Sequence, residues 1–311
     1  MLKVEGLTKR YGGKYALQGA SFTLEKGEIV GLLGLNGAGK STAMNIITGY
    51  ISATSGSVTL DGHEILSDPE YVKSRIGYLP ELPPLYPDMT VSEYLCFAAR
   101  IKRVPRGQIK AQTDTAMARM RLADHRARLV RHLSKGYRQR LGVAQALLGD
   151  PEILILDEPG IGLDPLQLAQ LREEIRQIGR EQSVLISSHI LHEISDICSR
   201  VIILKEGRIV AQDTLGVLLR GGQPKLVLRT PESEGLEALI RSMPGVRQIK
   251  RLPAVEAGCA ELQIEHEKPV DMRRGLFELF SSIRHPILML RPAENALEDV
   301  FFRLSESEKE N

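Results

Sequence analysis

No apolar run in this chain approaches the ~20 residues a helix needs to cross a bilayer. The opening residues Met1-Leu2-Lys3-Val4-Glu5 lack the apolar core of a secretory signal. Cysteine is scarce: Cys96, Cys198 and Cys259 are scattered and show no metal-ligand spacing. An odd, dispersed set argues against a disulfide framework and leaves reduced, packed thiols as the expectation. Charge of one sign is also lacking: the formal net charge is +2, so no global field recruits nucleic acid. Low-complexity segments and tandem repeats are missing too. What is present is an ordinary globular composition, 42% hydrophobic and 26% charged over 311 residues, enough for about two domains.

The most specific feature is Gly34-Leu35-Asn36-Gly37-Ala38-Gly39-Lys40-Ser41, followed by Thr42. Its spacing, G-x-x-x-x-G-K-[ST], is that of a P-loop, whose backbone N–H groups wrap the phosphates of a nucleotide. Gly34, Gly37 and Gly39 carry no Cβ, so strained angles and close approach to an anion become possible. Lys40 supplies a point charge to the outer phosphates, and Ser41 offers a hydroxyl to Mg²⁺. Upstream, Ile29 to Leu33 is short, apolar and bounded by Gly27 and Gly34, as in a strand buried on both faces of a parallel sheet. Downstream, Thr42 to Thr48 suits a helix that Gly49 can end. The positive end of that helix points at the phosphates. With strand, glycine loop and helix in the required order, a chance glycine-rich turn is the weaker reading.

Residues 1–220 read as one α/β unit built on this P-loop core. Ile153 to Leu156 and Ser183 to Ser188 are further buried-strand candidates, and Val201 to Val210 reads as a hairpin turning at Glu206-Gly207. Between about residues 85 and 150 the pattern becomes helical, with a capping box, Thr90-Val91-Ser92-Glu93, opening one helix. Gly221-Gly222-Gln223-Pro224 reads as a linker. Residues 223–311 form a second, α+β domain in this reading. Its strands are expected at 225–230, 246–252, 259–265 and 286–291. Helices are expected over Glu232 to Met243, at 269–281 and from Ala293. That βαββαβ order is compatible with a ferredoxin-like fold.

Asp157-Glu158 follows the strand at 153–156. A carboxylate at the C-terminal edge of such a strand sits where a P-loop protein holds Mg²⁺. Asp157 is therefore the expected Mg²⁺ ligand, through water, and Glu158 the candidate to polarise the attacking water. Just before this strand lies Leu133-Ser134-Lys135-Gly136-Tyr137-Arg138-Gln139-Arg140. Ser134 can cap the helix carrying Leu141, Val143, Ala144 and Leu147, and alone that is an ordinary N-cap. Placed between a P-loop and an acidic strand, the segment resembles the signature of ABC transporter ATP-binding subunits. That signature is usually Leu-Ser-Gly-Gly-Gln, followed by a basic residue, a glutamine and another basic residue.

The resemblance covers most of residues 1–220 and assigns further roles. Tyr11 stands where the family stacks an aromatic on adenine, although a core aromatic at a strand end is the alternative. Glu81, in Gly77-Tyr78-Leu79-Pro80-Glu81, stands at the Q-loop glutamine and near Mg²⁺. Leu163-Asp164 matches the D-loop. His189 matches the switch histidine that touches the γ-phosphate. The resemblance implies ATP and Mg²⁺ as ligands and Leu35 to Thr42 as the phosphate cradle. Ser134, Gly136 and Asp164 would come from a second ATP-binding subunit, identical or paralogous. It also implies separate membrane permeases and a peripheral place on the cytoplasmic face of the cell membrane. Four departures stand out: Glu81 for glutamine, Lys135 and Tyr137 for a glycine and the signature glutamine, and Gly160 where Ser or Thr is frequent.

The string Ile76 to Glu81 and the tail Asn295 to Phe302 resemble bacterial exporter and gliding-motility-type ATPases, so export is the expected direction. A soluble ABC-type ATPase acting on ribosomes or DNA is the alternative; such proteins usually carry two nucleotide domains or a long coiled-coil insertion, and neither is visible. The arginines at 119, 121, 126, 128 and 131 have no aromatics interleaved, so a solvated helical face is expected rather than nucleic-acid binding. Pro80 to Asp88 holds four prolines and few charges. With the helix from Val91, it is the expected docking surface for a permease.

Overall fold

The computed structural model describes residues 1–190, 195–220, 224–267 and 271–293. Two compact units follow one another, Met1–Leu215 and a second that begins at Gly216. The expected linker residues 221–223 and the tail from 294 onward, including the helix read from Ala293, lie outside the described residues.

The first unit contains two sheets. One is antiparallel, in the order β2-β1-β4-β5, from Leu2–Tyr11 (β1), Lys14–Leu24 (β2), Ser55–Leu60 (β4) and His63–Glu64 (β5). Sequence reading missed this sheet. Its signal was alternation: Leu2, Val4, Phe22 and Leu24 are buried while intervening residues face outward. The second sheet has the order β10-β9-β3-β8-β7-β6. It is built from Ile29–Leu33 (β3), Ile76–Leu79 (β6), Ile153–Leu156 (β7), Ser183–Ser188 (β8), Arg200–Lys205 (β9) and Arg208–Thr214 (β10). All its pairs are parallel except β9 with β10. Every residue of β7 and β8 is buried, which explains why their sequences are continuous rather than alternating. The β9–β10 hairpin turns at Glu206 (φ 48°) and Gly207 (φ 80°), the two positive angles a type I′ turn needs.

Among the described residues this unit also carries the α-helices Lys40–Ile47 (α1), Pro69–Ser74 (α2), Val91–Ile101 (α3), Ile109–Arg119 (α4), Lys135–Leu147 (α5) and Pro165–Ile178 (α6). The capping box at the start of α3 forms as read: Thr90 Oγ1 accepts from the Glu93 N–H at 3.2 Å, and the Thr90 N–H donates to Glu93 Oε2 at 2.8 Å. Lys102, at the end of α3, donates to the carbonyls of Ala146 (2.9 Å) and Leu148 (3.0 Å) where α5 ends. Burial holds its ammonium down, to a pKa of about 8.

The second unit opens within Leu215–Arg220 (α7) and carries Leu236–Arg241 (α8) and Met272–Ser282 (α9). Its strands are Lys225–Pro231 (β11), Val246–Leu252 (β12), Cys259–His266 (β13) and Met289–Pro292 (β14). They pair antiparallel in the order β12-β13-β11-β14. From β11 the described elements run βαββαβ with the sheet order of the split βαβ arrangement, as in ferredoxin-like domains. One sheet face, α8 and α9 share a core that includes Leu228, Leu262, Leu236, Ile240, Leu276 and Phe280. Several boundaries differ from the expectation. α8 is confined to 236–241 because Gly235, at φ 78°, sets its N-cap. β14 starts only at Met289, although the Leu288 N–H already donates to the Arg229 carbonyl of β11 at 2.9 Å.

Candidate functional site

The C-terminal ends of β3, β7 and β8 meet at one edge of the parallel sheet, where α/β folds place ligands. From β3 the chain enters the glycine loop and then α1. Gly37 (φ 83°) and Gly39 (φ 105°) take left-handed angles that a side chain disfavours. A Cβ on Gly39 would also strike the Ala16 carbonyl. Gly34 differs from the expectation: its φ is not positive, and its lack of a side chain is needed because a Cβ would lie 2.6 Å from the Leu204 carbonyl. Ala38 turns its methyl into the core, while Leu35 is 61% exposed.

A cleft of about 580 Å³ opens over this loop. Asn36, Gly37, Gly39, Lys40, Ser41, Thr42, Glu81, Glu158, Ile161 and His189 are among its lining residues. Lys40 is buried and donates to the carbonyls of Gly34 (2.7 Å) and Leu35 (3.4 Å). Its Nζ lies 3.2 Å from Glu158 Oε1. The other oxygen of Glu158 is 2.7 Å from His189 Nδ1. Lysine, carboxylate and imidazole thus form one chain across the cleft. Glu158 holds a positive φ of 48°, a conformation that non-glycine residues rarely take and that concentrates at functional sites.

Asp157 lies beneath, 2% exposed, with Oδ1 accepting from Ser187 Oγ at 2.6 Å. Among the described residues no group of three or more His, Cys, Asp or Glu side chains could hold a metal. Two carboxylates, Asp157 and Glu81, and the Ser41 hydroxyl are nevertheless hard oxygen donors. That is the set expected where Mg²⁺ keeps water and phosphate ligands rather than an all-protein cage, so the donors fit Mg²⁺.

Two residues that sequence reading passed over belong to this region. Ser187 links Asp157 to the backbone of Glu158. Tyr78 donates its hydroxyl to Asn45 Oδ1 of α1 at 3.0 Å. Burial first, then the charge of Asp157, pushes the Tyr78 phenol up, so it stays a donor.

Other predicted residues stand elsewhere. Ser134 caps α5, its Oγ accepting from the Tyr137 N–H at 3.4 Å. Asp164 caps α6 by accepting from the Gln167 N–H at 2.8 Å. Gly136 leaves room for the Gln167 side chain, and Gly162 leaves room for the Lys135 head group. These two helix N-termini therefore pack together, and none of Ser134, Gly136 and Asp164 lines the cleft. Tyr11 ends β1, paired with Lys14 and 52% exposed, so it is no core aromatic. The arginine-rich stretch is largely ion-paired: Arg119 with Glu181, Arg121 with Glu174, Arg126 with Asp114 and Arg131 with Asp88.

Similarity to known proteins extends over almost the whole chain. The ABC transporter family profile matches residues 17–160. A Nod factor export ATP-binding protein I from Ralstonia nicotianae is 32% identical, over 98% of this chain and 94% of the relative. The chain belongs to the ABC transporter ATP-binding family. A linearmycin resistance ATP-binding protein of Bacillus subtilis is 30% identical, over 98% of each chain. A solved structure, described as the ATP binding subunit of an ABC transporter, superposes with a TM-score of 0.65 at 32% identity, covering 71% of this chain and 92% of that one. As an ABC ATP-binding subunit, the protein binds ATP, and membership implies ATP hydrolysis. No helix among the described residues is long and apolar enough to cross a membrane.

Proposed function

We propose that this chain is the motor subunit of an exporter. Two copies, or this chain and a paralogue, would pack head to tail, ATP closing the pair and hydrolysis reopening it. They would act at the cytoplasmic face of the membrane on separate permease subunits. The observation that carries this reading is the Lys40–Glu158–His189 chain in the P-loop cleft, with Ser134 and Asp164 outside it. A cleft that holds the phosphate and water-activating groups but not the signature serine is half of a site that a second subunit can complete.

In this reading Lys40 and the N-terminus of α1 hold the phosphates, and Tyr11 presents an exposed ring to the adenine. Ser41, Asp157 and Glu81 would hold Mg²⁺, which when bound neutralises charge on the phosphates. Glu158 accepts the proton of the attacking water, and His189 keeps that carboxylate turned towards the cleft. Phosphates drawn to Lys40 compete with its contact to Glu158 and release Oε1 for water. Ser134 and Gly136 of the second subunit approach the γ-phosphate, with Asp164 at the same interface. That interaction makes the nucleotide bias a two-state pair.

Export is favoured because a relative covering nearly the full chain is named for Nod factor export. Docking on a permease is supported by a groove of about 470 Å³ beside Glu81, where Leu82, Pro83, Leu85, Pro87 and Val130 line it together with Arg131, Lys135 and Arg138. Leu82 is 84% exposed at its edge. Co-expression with a candidate multi-span permease tests this reading. The two should co-purify from membranes, and Leu82→Ala with Leu85→Ala should weaken the association. Unchanged association would refute the docking assignment, and an ATPase found wholly apart from membranes would refute the transporter reading.

A further inference from the structure

We infer that Ser187 is a positioning residue for hydrolysis: its single hydroxyl sets both the carboxylate of Asp157 and the backbone of Glu158. The inference rests on the reading of Glu158 as the group that activates water.

The placement follows from strand register. β7 and β8 run parallel with Leu156 beside Ile186. One residue further along each strand, Asp157 and Ser187 become neighbours at the sheet edge. Ser187 is fully buried at 0% exposure in the strand Ser183–Ser188. A hydroxyl there must find partners or carry an unsatisfied-group penalty. It finds two. Ser187 Oγ donates to Asp157 Oδ1 at 2.6 Å and accepts the Glu158 N–H at 2.8 Å.

The second bond bears on catalysis. Glu158 sits at φ 48°, a left-handed angle that local sterics disfavour. It is this angle that sends the side chain back over Lys40 and His189, at 3.2 and 2.7 Å. A backbone that could relax from that angle would swing the carboxylate away from the cleft. The Ser187 acceptor ties the amide of this strained residue to a buried strand. The first bond uses the one proton of the same hydroxyl, so Asp157 Oδ1 and the Glu158 amide are fixed relative to each other. Ser187 does not line the cleft, which separates its role from nucleotide binding.

The test is steady-state ATPase of the full chain with Ser187→Ala, Ser187→Thr and Glu158→Gln, alone and combined. Ser187→Ala should lower kcat about tenfold or more, the scale of one lost buried hydrogen bond. The KM for ATP, and the affinity for a fluorescent ATP analogue measured in EDTA, should stay within about twofold. Ser187→Thr keeps the hydroxyl and should recover most of kcat. In the Glu158→Gln background, Ser187→Ala should cost clearly less than alone, since coupled residues are not additive. If Ser187→Ala does not fold, Ser187→Cys, with its weak donor and acceptor, takes its place and should show the same kcat-only loss. A kcat unchanged by loss of the hydroxyl would overturn the inference. So would a parallel loss of nucleotide affinity, or full additivity with Glu158→Gln. Wild-type ATPase in Glu158→Gln would instead overturn the reading of Glu158, so the two failures are distinguishable.

Discussion

Lys40 and Glu158 are buried partners: their side chains are 5% and 8% exposed, and their charged atoms are 3.2 Å apart. Each depends on the other, because a buried charge left without its partner is strongly destabilising, by about 3–5 kcal/mol. The P-loop lysine is therefore a structural counter-charge as well as a phosphate ligand.

Lys40→Met should abolish measurable ATP binding and also lower the unfolding midpoint in the absence of nucleotide. Adding Glu158→Gln to Lys40→Met should restore much of the midpoint without restoring ATP binding. Thermal unfolding of the two variants checks this. A Lys40→Met protein as stable as the wild type would show that the pair contributes nothing to the fold.

Gly39→Ala should damage the loop more than a chemically mild change suggests. The backbone there is at φ 105°, and a methyl would meet the Ala16 carbonyl. The left-handed angle alone costs an alanine roughly 1–2 kcal/mol, and the clash adds to it. Gly37→Ala, at φ 83° but with nothing within 4 Å of the added methyl, should cost only the angular part. Comparing the two midpoints and ATP affinities separates steric closure from backbone strain.

Lys102 gives the fold a pH dependence. Its pKa is lowered from 10.5 to about 8 in the folded state, so between those values the unfolded chain holds more protons. Stability contributed by this residue therefore rises with pH through that window and is flat below it, where both states are protonated. The stability difference between the wild type and Lys102→Met should move in favour of the wild type on going from pH 8 to pH 10. Chemical denaturation at both values checks the sign, and an unchanged difference would remove Lys102 as the source.

Much of this site was legible because its chemistry is written in short strings. The loop at 34–41, the acidic pair at 157–158 and His189 each follow a strand, and parallel strands bring such ends together. The role of Ser187 was not legible, since it depends on which strand neighbours which and in what register. The N-terminal antiparallel sheet was missed because its alternation is broken by irregularities between Val4 and Leu7 and between Leu7 and Lys9. Gly34 stands in the expected loop, but its φ is not positive. Only the folded chain shows the Leu204 carbonyl from β9 pressing against it. Tyr11 does stand at a strand end, but the two glycines after it form the tight turn that pairs it with Lys14 and leaves its ring exposed.

The central claim is that Glu158 activates water in a cleft whose nucleotide is held by other groups. ATPase measurement on Glu158→Gln, beside ATP affinity of the same protein, tests it most directly. The account predicts a kcat lower by about a hundredfold or more, the range of general-base catalysis, with ATP bound at least as tightly as in the wild type. Hydrolysis at the wild-type rate would contradict it.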